Sequence, residues 1–120
     1  MAELLTDATE LLVSMRRPER LSAFRRSDLR LPLRAVRQVR AVPTPWLELR
    51  GWRVDGVAVP GWVALGRRRH GTGYDFTVVR GSGPAVVVEL NGQAFERIVV
   101  SCVDAGAVAA RIAAAAGIAP

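Results

Sequence analysis

Three apolar, β-branched runs follow one another late in the chain: Asp75–Arg80, Ala85–Leu90 and Arg97–Val103, each bounded by turn residues. In the third run Ile98, Val100 and Cys102 alternate with Val99, Ser101 and Val103. Both faces are mostly apolar, which predicts a strand at the centre of a sheet or one covered by a helix. The period then changes from two to 3.6. Val108, Ile112 and Ala116 recur at i, i+4, Asp104 is placed to cap the first turn with its carboxylate, and Gly117 supplies a left-handed stop. One alanine-rich α-helix over about 104–116 is expected.

The earlier chain is less regular. Residues 1–9 read as a flexible N-terminal tail ahead of a single domain over 10–120. The run from Glu10 to Met15 reads as a strand, with Arg16-Arg17-Pro18-Glu19 as its turn and Arg20–Arg25 as the return strand. Leu4, Leu5, Ala8, Leu11 and Leu12 also allow a helical reading. Leu29–Arg34 alternates at period two, and Pro32 suggests an edge or a strand end. Val36 and Val39 lie three apart, which permits one helical turn before the strand that reaches Val42. Pro43-Thr44-Pro45 is a break, and Asp55-Gly56 to Pro60-Gly61 reads as a punctuated loop. Trp62–Gly66 is a short strand, and Arg67–Gly73 a basic hairpin tip. Gly81-Ser82-Gly83-Pro84 and Asn91-Gly92 read as turns. The sum is an α+β, mainly β chain of about seven antiparallel strands in two sheets, closed by one C-terminal helix.

Composition narrows the function classes. With 120 residues and half of them apolar, the chain is expected to be one domain with its own core. No apolar run approaches a membrane span, and Glu3, Asp7 and Glu10 precede any basic residue, the reverse of a secretory signal. A cytoplasmic protein is the expectation, with a peripheral place at the inner membrane face as the alternative. Cys102 is the only cysteine, so no intrachain disulfide and no cysteine-based metal site is expected. All 17 basic residues are arginine, which together with abundant Ala, Val and Gly fits GC-rich coding bias before it implies forked contacts to phosphate. The net charge of +6 is concentrated in Arg16–Arg40 and in 67–80, so an anionic partner could be steered there.

Several segments resemble a known family: Leu31-Pro32-Leu33-Arg34-Ala35-Val36, Pro60-Gly61-Trp62-Val63-Ala64-Leu65-Gly66, Asp75-Phe76, Ala85–Leu90, and Phe95–Ser101 followed by Asp104. They are similar to bacterial pleckstrin-homology-like domains, especially small stand-alone actinobacterial ones. The resemblance implies a two-sheet barrel of about seven strands capped by the helix, and it implies no enzymatic activity.

Candidate sites follow. An anion could be held by Arg16, Arg17 and Arg20 on the first hairpin turn and by Arg67, Arg68 and Arg69 on the basic tip, where the glycines around Thr72 would admit a phosphate. Trp46, Trp52 and Trp62, in a Gly/Pro-rich stretch, are candidates for partner binding. His70, Asp75 and Ser101 or Cys102 are the only residues from which a nucleophilic site could be assembled, and no catalytic residue, metal or cofactor is expected. The leading reading is an interaction module for a protein or peptide partner, with homo-oligomerisation included. The alternative is an anion-binding module that docks on acidic membrane lipid or nucleic acid through its arginine-rich loops, nucleic acid being the less favoured.

Overall fold

The computed structural model describes residues 3–14 and 29–118. Ten strands and one helix are present there: β1 (Glu3–Thr6), β2 (Glu10–Ser14), β3 (Leu29–Pro32), β4 (Val36–Val42), β5 (Trp52–Arg53), β6 (Val57–Val59), β7 (Val63–His70), β8 (Gly73–Arg80), β9 (Ala85–Leu90), β10 (Arg97–Ser101) and α1 (Ala105–Ala116). The chain is thus mainly β, in two sheets, with a C-terminal helix. Among the described residues no strand pairing closes the two sheets into a barrel.

The smaller sheet is an antiparallel meander, β1-β2-β3. Residues 3–6 are therefore a strand where a tail was expected, because Leu4 is buried and Leu4 and Leu5 pair with Val13 and Leu12. The Arg16–Glu19 turn and the Arg20–Arg25 return strand lie outside the described residues. Pro32 ends β3, as its missing amide requires. No helical turn forms at Val36–Val39, which is strand; a 3-10 turn lies earlier, at Leu33–Ala35, where the alternation reads as strand, and it carries the chain from one sheet into the other. Hydrogen bonds from Leu33 N to Thr9 O and from Asn91 N to Ala35 O, both 2.9 Å, fix this corner.

The larger sheet has the order β4-β9-β10-β8-β7, with β5 and β6 both paired to β7 at its outer side. Here the all-antiparallel expectation needs correcting. Strand β10 is antiparallel to β9 but parallel to β8, with Arg97 opposite Asp75 and Val99 opposite Thr77. The turn Gly81–Pro84 carries the chain past one vacant strand position, a span of about 10 Å. The strand that fills the gap is the one whose two faces are both apolar.

Two cores result, one on each side of this sheet. The first holds Val39, Leu65, Phe76, Val88 and Ile98 against Leu11 and Leu31 of the small sheet and against α1. Fully burying a side chain such as Ile112 or Phe76 stabilises by about 2–3 kcal/mol. The second is smaller: Val42, Ala64, Val79, Ala85, Val87 and Val99 lie beneath Trp46, within a 3-10 turn at Pro45–Glu48, and Leu49, which ends that turn. Ala105, Ala109 and Ala113 let α1 lie close to the sheet, while Val108 and Ile112 anchor it. Gly117 takes the left-handed conformation at φ 71°, and its amide and that of Ile118 close the helix end. Asp104 occupies the N-cap position, but its carboxylate makes no capping bond.

Two turn expectations are also corrected. Arg67–His70 continues β7 in register with β8, leaving only Gly71-Thr72 as the tip. Asn91-Gly92 belongs to a longer loop, because Phe95 turns inward onto Phe76 with ring centroids 5.2 Å apart.

Candidate interaction surface

Strand pairing assigns every residue of the large sheet to a face. On the second-core face one row runs straight across the sheet: Gln38, Glu89, Arg97, Asp75, Arg68 and Arg53, each opposite the next. Asp75 is only 1% exposed, and Arg50 forks onto it with Nε and Nη2 at 2.6 and 2.9 Å. That hydrogen bond, more than any other influence, raises the pKa of Arg50 above its ordinary value. Arg97 reaches the Glu48 carbonyl at 3.1 Å, and Arg40 pairs with the Glu48 carboxylate at 2.7 Å. Arg37 meets Glu89 at 3.0 Å. The segment from Trp46 to Arg50 is therefore tied down at its apolar end by the second core and at its polar end by charge.

At the lower rim of this row lies an open polar cleft of about 500 Å³, lined by Arg37, Arg50, His70, Glu89, Asn91 and Glu96 among others. Its arginines already face carboxylates within it or beside it, so its charge is largely balanced.

The outer flank of the sheet is different. Gly51 and Gly56, at φ 70° and 86°, let the chain press against β7; a Cβ at either would overlap a β7 carbonyl oxygen, of Arg69 or Leu65. This close approach holds β5 and β6 in place as the last strands of the sheet. Their side chains are not covered. Trp52 is 66% exposed and Trp62 76%, and Val54, Val57 and Val59 are exposed beside them. Trp52, Val57 and Val59 pair with Arg69, Leu65 and Val63, so they extend the first-core face beyond the reach of the helix and the small sheet. An apolar patch of this kind at a sheet edge marks an interaction surface.

The expected site residues separate. Arg67, Arg68 and Arg69 lie on one strand, so successive side chains point to opposite faces and the three cannot close on one phosphate. Arg67 is paired with Asp55 at 2.7 Å and lies over the Tyr74 ring, 5.5 Å from its centroid. Arg69 flanks the same ring, and Arg68 donates to the carbonyls of Arg50 and Gly51. Arg16, Arg17 and Arg20 lie outside the described residues. Trp46 is half-buried against the second core, its Nε1 donating to Gly81 O at 2.8 Å, whereas Trp52 and Trp62 face outward. His70, Asp75 and Ser101 do not converge. Asp75 is held by Arg50, and Ser101 accepts from Arg80 N four positions further along the sheet, roughly 13 Å away.

Val54, Val57 and Val59 were not singled out as site residues by sequence. The available signal was the alternation Val57-Ala58-Val59 between Gly56 and Pro60, which is a strand pattern inside what reads as a loop. Among the described residues no group of three His, Cys, Asp or Glu side chains is placed to hold a metal, and no helix is long and apolar enough to cross a membrane. Comparison of the chain with protein-family models, curated proteins and solved structures returns no match, so the geometry carries the functional reading alone.

Proposed function

We propose that this chain is a non-catalytic interaction module of the pleckstrin-homology-like type, which receives an extended protein segment along the β5–β6 edge. The observation that supports this is the concentration of Trp52, Val54, Val57, Val59 and Trp62, all exposed, on the flank where the sheet ends. An incoming strand gains affinity from main-chain hydrogen bonds, and apolar side chains on alternate positions supply selectivity. The tryptophans are suited to the centre of such a contact.

The test is site-specific photo-crosslinking in cells that produce the protein. A photoreactive side chain at Val59 is expected to yield protein adducts, and one at Ala110 on the outer side of α1 is not. Adducts at Val59 should disappear when Ala58→Pro removes an edge donor. Equal labelling from both positions, or none from Val59, sinks the reading.

A further inference from the structure

We infer that the segment received on this edge is β6 of a second copy of the chain, paired antiparallel about Ala58. The inference rests on the edge being the docking surface and adds the identity of its occupant. Val59 O accepts from Trp62 N at 2.9 Å, so that carbonyl points to the β7 side. Alternation along the strand then turns both backbone groups of Ala58 outward. Two copies related by a two-fold axis at Ala58 would exchange two hydrogen bonds, Ala58 N–H to Ala58 C=O in each direction.

The side chains fit the same axis. Within β6 the exposed apolar residues Val57 and Val59 stand one position before and one after Ala58, and Val54 and Trp62 are exposed where the chain bends into the strand and turns out of it. In an antiparallel pairing Val57 of one copy lies opposite Val59 of the other. Such self-complementarity is what an isologous interface requires. These four side chains expose about 400 Å² per copy, so pairing hides at most about 800 Å², the size of a weak, transient contact.

Charge favours a copy over an acidic partner. Between Val54 and Trp62 the only charged residue is Asp55, and its carboxylate is turned back onto the backbone amide and guanidinium of Arg67. Sheet edges that stay single usually carry lysine, proline or an inward charge as protection. Along β6 itself this edge has none.

Light scattering with size-exclusion chromatography, from micromolar to several hundred micromolar protein, is expected to show a shift from 13.0 kDa to twice that mass. Val57→Lys with Val59→Lys, and separately Ala58→Pro, should weaken the dimer at least about 30-fold while circular dichroism stays unchanged. The register is read in a Cys102→Ser background. An equimolar mixture of Val57→Cys and Val59→Cys chains should form an intermolecular disulfide, and neither chain alone should, because like positions lie too far apart. A monomer at every concentration overturns the inference, as does a dimer that survives both edge variants or a disulfide that forms equally without mixing. A monomer that still gives Val59 adducts with other proteins overturns self-pairing alone. A monomer without adducts overturns the docking edge as well.

Discussion

Burying a carboxylate as deeply as that of Asp75 is costly unless cations pair with it. Arg97 and Arg68 flank it in register, but Arg50 alone makes the two-pronged contact. Arg50→Ala leaves that oxygen pair without its fork and should lower unfolding stability by about 3 kcal/mol, measured by chemical denaturation. Arg50→Lys keeps the charge and loses the planar fork, so its loss should be about half as large. A second residue gives a pH signature. Asp7 accepts from the amides of Thr9 and Glu10 at 2.8 Å each, and these bonds hold its carboxyl below the ordinary 3.8. The folded value lies under the unfolded one. Asp7 therefore stabilises the β1–β2 turn fully above 3.8, and the contribution fades as pH falls through the lower folded value. The difference in Tm between the wild type and Asp7→Ala should be present at neutral pH and vanish at the acid end of a melting series.

At the scale of elements, α1 is secured mainly by one side chain. Ile112 is fully buried, and the residues around it on the same face are alanines and Val108. Ile112→Ala should cost about 2–4 kcal/mol, while Ala110→Gly on the exposed face costs about 1 kcal/mol, both read from urea unfolding. The helix, β9 and β10 were legible in the sequence because period and punctuation agree there: Ala85–Leu90 is bounded by Pro84 and Asn91, and Gly117 closes the helix. The long reach of β7 was not legible. Arg67-Arg68-Arg69-His70 looks like a solvated tip, and only pairing with Tyr74, Asp75 and Phe76 makes it strand. The same holds for the site. Tryptophans mark the Trp46–Trp62 stretch as unusual, but composition cannot divide Trp46, half-buried and hydrogen-bonded, from Trp52 and Trp62 outside. Nor can an alternation of three residues between Gly56 and Pro60 announce an edge strand without the neighbour it lies against.

Among the described residues the apolar surface is distributed unevenly: one core under the helix and small sheet, a second under Trp46 and Leu49, and most of the exposed large apolar side chains along β5–β6. That exposed flank makes a spectroscopic prediction. At low concentration Trp52 and Trp62 should be quenched readily by acrylamide while Trp46 resists. Raising the concentration should shift the emission to the blue in the wild type and leave Ala58→Pro unchanged. Protection that does not depend on concentration would contradict an open flank.

The insertion of β10 between β8 and β9 also sets an order of events during synthesis. In the order of synthesis β8 and β9 both precede the strand that joins them. Until Arg97–Ser101 is in place, β8 and β9 each keep an open, valine-rich border, a feature that favours aggregation of partly folded chains. The sheet is completed from its middle, and a chain cut short before Arg97 would lack the strand that joins β8 to β9.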